Sequence, residues 1–205
     1  YGLDKRSLQL VWNVSLNSPS MSSPAVARGH VYVGTTNNGL MCVGQPGRPE
    51  REPLWAGPRG GAGRTGNVDG SLLPQRGAYA WRFADPLEPA QEASEPPIVD
   101  APPACVDGAL YVGYNQQQAA AFGLARFNVG ESLAEQPAPA WYVESTNPVH
   151  LSAAATRERV FFVDGRPGDA DRALRCVEAE TGRVLWKRTV ETGAAGEFTI
   201  TRERI

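Results

Sequence analysis

Tryptophans recur along this chain at a nearly regular interval, and this period constrains the fold more than any other feature. The spacings are 43, 86 and 45 residues between Trp12, Trp55, Trp141 and Trp186. Because 86 is twice 43, the spacing indicates one structural unit repeated along the chain, with one copy lacking its tryptophan.

Two further pairs of segments support the repeat. Residues 24–34 and 103–113 are identical at six of eleven positions, and both end in a glycine, Gly34 and Gly113. The segment Thr156–Val160 recurs 45 residues later as Thr201–Ile205. Since 45 is also the spacing of the last two tryptophans, the registers agree.

Each unit reads as four short strands. The best copy predicts strands over 24–27, 30–34, 40–43 and 53–55, with Asn37-Asn38-Gly39 as a hairpin turn signal. Four strands in about 40 to 50 residues are typical of a propeller blade. We therefore expect an all-β fold, a partial β-propeller of about four four-stranded antiparallel blades. The predicted divisions are 1–16 (end of a blade), 17–57 (blade), 58–97 (degenerate blade or insertion), 98–145 (blade), 146–191 (blade) and 192–205 (first strand of the next blade).

The division 58–97 has two interpretations, because it is rich in glycine, proline and polar residues. Only 71–73 and 78–83 have strand-like sequences. The segment is either a degenerate blade whose outer strand carries Trp81, or an insertion at one blade edge. The 86-residue gap has room for one unit and favours the degenerate blade.

Composition excludes several classes of protein. The formal net charge is -2, so no strong field attracts nucleic acid or an acidic membrane. Cys42, Cys105 and Cys176 are widely spaced and form no C-x-x-C pair, which predicts three buried apolar side chains rather than a zinc site or disulfides. No apolar run is long enough to span a bilayer.

The last complete unit carries the most specific motif. Its pattern Cys176-x-Glu178-x-x-Thr181-Gly182-x-x-x-Trp186 resembles the Ala-x-Asp-x-x-Thr-Gly-x-x-x-Trp signature of the pyrroloquinoline-quinone (PQQ)-like β-propeller repeat. A weaker copy ends at Trp12 and has Leu8 in the place of the glycine. The resemblance implies an extracytoplasmic bacterial protein, periplasmic or secreted, whose complete ring has seven or eight blades.

The same repeat also builds quinoprotein dehydrogenases, which hold the quinone and a calcium ion near the ring axis. Those enzymes use adjacent paired cysteines, which this chain lacks, and calcium requires six to eight converging oxygens. Asp107, Asn115 and Asp164 are candidates for the inner mouth, scattered one per blade. No cofactor is therefore predicted, and PQQ and calcium enter only under this alternative.

Other motifs are weaker candidates for a binding or catalytic site. Gly61–Gly66 matches G-x-G-x-x-G, but Pro74 prevents the helix that a dinucleotide site needs. His30 is expected to be an exposed residue at a strand start, and neither it nor His150 has a partner that suggests a triad or a metal site. A cation could bind loop 165–171 through Asp164, Asp169 and Asp171, although a solvated turn is favoured.

The preferred function is a non-catalytic binding or scaffold module for a protein partner, presented by rim loops such as 45–53 and 165–172. The alternatives are part of a PQQ-dependent dehydrogenase and the sensor propeller of a larger signalling protein. No catalytic, cofactor or metal residue is assigned. The residues assigned to the structural repeat are Trp12, Trp55, Trp141, Trp186, Thr181, Gly182, Gly34 and Gly113.

Overall fold

The computed structural model describes residues 1–4, 6–27, 29–44, 77–83, 97–117, 120–129 and 138–190. These residues form β-strands and no helix, which confirms the all-β prediction. The strands are β1 (Gly2–Leu3), β2 (Leu10–Trp12), β3 (Ala25–Ala27), β4 (His30–Gly34), β5 (Leu40–Gly44), β6 (Tyr79–Phe83), β7 (Ala104–Val106), β8 (Ala109–Gln116), β9 (Ala121–Asn128), β10 (Pro139–Ser145), β11 (Ala154–Ala155), β12 (Arg159–Asp164), β13 (Ala173–Glu178) and β14 (Val184–Thr189).

The strands form three four-stranded antiparallel sheets and one two-stranded sheet. The first blade has the order β3-β4-β5-β6, the second β7-β8-β9-β10 and the third β11-β12-β13-β14. Strands β1 and β2 pair with each other and are called the initial hairpin. Sequence order equals spatial order in every sheet, so each blade is a meander of the kind predicted.

One row of cross-strand partners recurs in all three blades. Each row begins with an alanine on the first strand, continues with an aromatic residue on the second and ends with a tryptophan on the fourth. The rows are Ala25–Tyr32–Cys42–Trp81, Ala104–Tyr111–Arg126–Trp141 and Ala154–Phe161–Cys176–Trp186. This identity of register shows that the blades are copies of one unit, beyond the similarity of their sequences.

The blades pack face to face in chain order. One core cluster joins Tyr32 and Leu40 of the first blade to Val112 of the second. A second cluster joins Tyr111 of the second blade to Phe162 of the third. Because successive side chains of a strand point to opposite faces, the middle blade must be apolar on both sides, which accounts for the continuously buried β8.

The innermost strands of neighbouring blades contact one another. Strand β7 of the second blade contacts β3 of the first and β11 of the third. Sheets that meet along their first strands and carry their tryptophans on their fourth strands are arranged radially about an axis. The described part is therefore an arc of a β-propeller, as the sequence predicts.

The outer strand of the first blade differs from the prediction. Tyr79–Phe83 pairs with Leu40–Gly44, so this segment completes the first blade. The sequence pattern predicts residues 53–55 for that position and favours a separate degenerate blade for 58–97. Trp81 therefore occupies the row position predicted for Trp55, which lies outside the described residues. The regular spacing failed here because residues 45–78 connect the third and fourth strands of one blade.

Gly34 and Gly113 lie on the second strands of their blades and allow the segment that leads to the next blade to pack closely against them. A Cβ on Gly34 would lie 2.2 Å from the carbonyl oxygen of Val99, and one on Gly113 would lie 2.7 Å from Cγ1 of Val149. Both valines belong to the segments that connect one blade to the next. The two glycines thus have equivalent roles in the repeat, which is why their segments align.

Among the described residues there is no helix whose length and hydrophobicity would allow it to cross a bilayer. The three cysteines are buried, as expected. Burial raises the pKa of the Cys42 thiol and of the Cys176 thiol, which keeps both in the protonated form.

Candidate functional site

The segments that connect successive blades lie at the same end of the sheets as the hairpins between second and third strands. We call this end the linker end. In the third blade the two kinds of segment are joined directly, because the backbone N–H of Gly165 donates to the carbonyl of Pro148 and the Asn147 amide donates to the carbonyl of Ala170. The candidate site lies here, on the second and third blades.

A polar network connects two of the linkers. Asp100 precedes the second blade and His150 precedes the third, and Oδ2 of Asp100 lies 2.6 Å from Nδ1 of His150. Asn115, near the end of β8, donates its amide to Oδ1 of Asp100 and to the carbonyl of Val149, and its Oδ1 accepts from the Val149 N–H. One side chain of the second blade therefore holds both linkers in place.

Asp100 and His150 occupy equivalent positions in the repeat. Each lies four residues before the alanine that begins the row of cross-strand partners, at Ala104 and Ala154. Met21 has the same relation to Ala25 and is exposed. No sequence motif predicted that these two residues meet, although their constant distance from an aligned alanine is a signal for it.

The pair has a defined chemical character. About 20% of the Asp100 side chain and 19% of the His150 side chain are exposed, so solvent reaches both while the protein fixes their orientation. A carboxylate bonded to one ring nitrogen orients the imidazole and leaves the other nitrogen for a different contact. The pair can therefore offer a hydrogen-bonding group of fixed direction to a bound molecule.

Beside this pair, the loop 165–172 is anchored at its base by buried charges. Asp164 has no exposed surface, and its Oδ2 accepts from Nη2 of Arg175 at 2.8 Å. Its Oδ1 accepts from the backbone N–H of Ala173. Arg172, also buried, donates from Nε to the carbonyl of Gly165. The two ends of the loop are thus fixed to each other.

The tip of the same loop is exposed from Arg166 to Asp171. Within it, Asp169 accepts a hydrogen bond from the backbone N–H of Arg166, and Gly165 and Gly168 have φ values of +79° and +98°. Positive φ at these positions suits glycine, which has no Cβ to clash. The sequence therefore determines the shape of the loop as well as its anchors.

The cation site that the sequence allowed in this loop, as the less favoured alternative to a solvated turn, is not assembled. The carboxylate of Asp164 is engaged by Arg175 and a backbone N–H, and Oδ2 of Asp169 accepts a backbone hydrogen bond. Within the described ranges, histidine, cysteine and acidic side chains form no group of three that could hold a metal ion.

The three candidates for a calcium and quinone site do not converge either. Asp107 and Asn115 both belong to the second blade, contrary to the expected one per blade, and lie at opposite ends of β8. At about 3.3 Å per residue, that separation is about 25 Å. Asp107 pairs with Arg157 at the end opposite the linkers, so these residues do not fit the ligand set of a quinoprotein.

His30 is buried, with 1% of its surface exposed, so the expectation of an exposed histidine was wrong. It begins β4, and the β4 residues at 30, 32 and 34 are all buried in the first blade. Its neighbour on that face is the ring of Tyr32, at a centroid distance of 6.4 Å. The strand period, rather than the position at the strand start, decides its burial.

The second and third blades are joined by a tryptophan that docks on a turn. Nε1 of Trp141 donates to the carbonyl of Ala179, and a Cβ on Gly182 would lie 2.8 Å from Cδ2 of the indole. Gly182 has a φ of +73°, and the Thr181 hydroxyl donates to Glu178. The Thr-Gly turn of one blade is therefore the receptor for the outer tryptophan of the blade before it.

The repeats are those of a β-propeller. Arg126, which precedes Trp141 in the row of the second blade, reinforces the same interface between blades, because its Nη1 donates to the carbonyls of Ala179 and Glu180 and to the Glu180 carboxylate. At the other side of the first blade, Gly77 would place a Cβ 2.7 Å from the ring of Trp12. Like Gly182, it lies four residues before an outer-strand tryptophan.

No family model matches the chain, and no curated protein matches it. Solved structures do, including a quinohemoprotein alcohol dehydrogenase from Pseudomonas putida (14% identity, 86% of this chain and 27% of that one, TM-score 0.48). BamB from Moraxella catarrhalis matches with 18% identity over 91% of this chain and 56% of its own, at a TM-score of 0.41.

A second quinohemoprotein alcohol dehydrogenase, from Comamonas testosteroni, is 14% identical over 87% of this chain and 36% of its own, with a TM-score of 0.46. The chain therefore spans from about a quarter to just over half the length of these three proteins. Two of the three are named as dehydrogenases, and the third is not.

Proposed function

We propose that this protein is a non-catalytic binding module, a propeller scaffold that recognises a protein partner with its linker end. The observation that carries the proposal is the loop 165–172, whose tip is exposed from Arg166 to Asp171 while its base is held by the buried Asp164–Arg175 pair. An exposed loop on a rigid support is the usual position of a recognition element.

The energetics of the loop base support a role in recognition. A buried ion pair gains little net stability, because removing both charges from water offsets most of their attraction. The pair does hold the loop in one conformation, and a loop that is already ordered loses less conformational entropy on binding. The buried pair therefore contributes mainly by preorganising the loop for binding, and only little by stabilising the fold.

The Asp100–His150 pair extends the proposed surface toward the axis. Both side chains are partly exposed and their linker segments adjoin the loop, since the Pro148 carbonyl and the Asn147 amide bond to it. The proposed docking surface is therefore polar and comprises the loop 165–172, Asp100 and His150. Polar groups held in fixed directions contribute mainly to the specificity of an interface.

The second candidate function is that this chain forms part of a PQQ-dependent dehydrogenase. Only the type of repeat favours it. The residues that could have formed the cofactor site are engaged elsewhere, with Asp164 bonded to Arg175, Asp107 to Arg157 and Asn115 to the linkers. Adding quinone and calcium to the full-length protein and following dye reduction by alcohols or sugars tests this alternative. Turnover would contradict the scaffold proposal, and we expect none.

Site-specific cross-linking tests the scaffold proposal directly. A photoreactive amino acid replaces Arg166 at the loop tip, and in a matched protein it replaces Arg183, an exposed residue at the opposite end of the third blade. In extracytoplasmic extracts of the source organism, we expect one protein to cross-link through position 166 and not through position 183. Equal labelling at both positions, or none at 166, would refute the proposed surface.

A further inference from the structure

A cavity of about 240 Å³ lies between the initial hairpin and the first blade and is partly open to solvent. Its apolar lining comes from both neighbours and includes Trp12, Val14, Leu16, Val31, Val33 and Val43. The two serines in its wall, Ser20 and Ser22, already form hydrogen bonds with the backbone of Gly34. Because the remaining surface is mostly apolar, a group that fills the cavity should be apolar too.

The residues of the first blade that line this cavity are less buried than their equivalents in the other two blades. The equivalents of Val31 and Val33 flank the aromatic row residue on each second strand, and they are Leu110, Val112, Val160 and Phe162. All four are fully buried, whereas Val31 and Val33 are only half-buried. The space beside the first blade is therefore incompletely filled.

The two complete interfaces between blades show what fills the equivalent space. Ala25 and Tyr32, the first two row residues of the first blade, belong to the same core cluster as Leu110 and Val112. The alanine and the tyrosine that begin the row of the second blade lie in one cluster with the equivalent pair of the third. The cavity thus corresponds to the place of an alanine and an aromatic side chain.

The initial hairpin holds only the last two positions of such a row, because Gly2 pairs with Trp12 as Cys176 pairs with Trp186. Among the described residues, β1 pairs with β2 alone, so one edge of β1 is open to a further strand. We propose that the initial hairpin binds an added β-hairpin of the same repeat type, whose second strand pairs with β1 and places an aromatic side chain in the cavity.

Strand addition makes this site selective for the register of its ligand. A shift of one residue along the added strand turns its aromatic side chain to the other face, away from the cavity. The proposal does not rest on the proposed function, because the cavity shares no residue with loop 165–172, Asp100 or His150.

Two peptides of identical composition test the register. Both copy residues 151–164, which contain the first two strands of the third blade, and one carries Phe161→Thr while the other carries Phe162→Thr. Phe161 is the row residue opposite Ala154, and Phe162 points to the other face. Binding is followed by fluorine NMR of the chain labelled with 5-fluorotryptophan, in which Trp12→Phe identifies the resonance of Trp12.

We expect the Phe162→Thr peptide to shift the Trp12 resonance saturably and to leave that of Trp141 unchanged. The Phe161→Thr peptide should bind about tenfold more weakly or worse, because it brings no aromatic ring to the cavity. Equal affinities, or no shift with either peptide, would overturn the proposal. A Trp12 shift that follows protein concentration alone would assign the cavity to a second copy of the chain, and would overturn it as well.

A variant that fills the cavity from within the protein gives a second test. We expect Val33→Phe to abolish binding of the Phe162→Thr peptide while the Trp141 resonance keeps its position in the folded chain. Leu3→Thr is the matched control, because Leu3 is exposed and follows Gly2 on β1, so its side chain points away from the cavity. Unchanged binding in Val33→Phe, or lost binding in Leu3→Thr, would contradict the proposed position of the ligand.

Discussion

The indole of Trp141 lies so close to Gly182 that a Cβ on that glycine would stand 2.8 Å from the ring. The two residues belong to the outer strand of the second blade and the turn of the third, and they are 41 positions apart in the sequence. This contact unites the tryptophan and the Thr-Gly turn, the two most regular features of the repeat, in one interface.

Substitution of Gly182 by alanine tests that contact. We expect Gly182→Ala to lower the free energy of unfolding by about 3 kcal/mol, from about 1 to 2 kcal/mol of left-handed backbone strain and a similar amount of overpacking against the ring. Urea denaturation measures the change. Gly168→Ala is the matched control, because Gly168 also has a positive φ and no atom lies within 4 Å of its Cβ position. Equal losses in the two variants would contradict the docking.

A substitution at Leu8 should have the opposite sign. Leu8 occupies the place of the turn glycine in the initial hairpin and has a φ of +58°, which is strained for a side chain with a Cβ. We expect Leu8→Gly to raise the free energy of unfolding by about 0.5 to 1 kcal/mol, measured by the same denaturation. Leu10→Gly, in the adjacent strand, should lower it. A loss of stability in Leu8→Gly would mean that the side chain has a contact that outweighs the strain.

The buried pair under the loop should be far more sensitive than an exposed one. We expect Asp164→Asn to cost about 3 to 5 kcal/mol of unfolding free energy, because it leaves Arg175 as a buried charge without its counter-ion. Asp107→Asn removes the partner of Arg157, where both side chains are well exposed, and should cost less than about 1 kcal/mol. Thermal unfolding of both variants measures the two losses of stability. Similar shifts of Tm would contradict the proposed anchoring.

Acid should act on the Thr-Gly turn through Glu178. The Thr181 hydroxyl and the Arg183 guanidinium, both bonded to its carboxylate, hold the pKa of Glu178 below its ordinary value of 4.5. The charged form therefore stabilises the turn above that value, and its contribution is lost as the pH falls through the folded-state pKa. We expect Thr181→Val to raise the pKa of Glu178, observed by NMR titration of its carboxyl carbon, and Thr156→Val to leave it unchanged. If the pKa of Glu178 is the same in Thr181→Val, the hydroxyl is not the main cause of the lowered pKa.

The sequence was sufficient for strands that are joined by short hairpins. The predicted strands over 30–34 and 40–43 closely match His30–Gly34 and Leu40–Gly44, because alternation and turn residues are local signals. The sequence was insufficient at the outer strand of the first blade. There the long connection 45–78 breaks the period, and strand pairing, which joins residues distant in sequence, had to be known before Trp81 could replace Trp55.

The candidate site was predicted less well than the fold, for a related reason. Asp100 and His150 meet only because adjacent blades place equivalent linker residues side by side, and neither residue has a distinctive neighbour in the sequence. Likewise, the ion pair of Asp164 with Arg175 depends on pairing between β12 and β13, whereas the sequence suggested Asp164 as a cation ligand. Loop 165–172 was recognised from its composition. The contacts that anchor it could not be predicted, because they depend on how the strands pair.

The proton spectrum of Gly182 gives the sharpest test of whether Trp141, the outer tryptophan of the second blade, docks on the Thr-Gly turn of the third blade. We expect strong nuclear Overhauser effects between the Trp141 ring protons and the Gly182 α-protons, with those α-protons shifted upfield by the indole. Both features should disappear in Trp141→Leu while the Gly168 signals are unchanged. Gly182 α-protons at random-coil shifts, without contacts to Trp141, would contradict this docking.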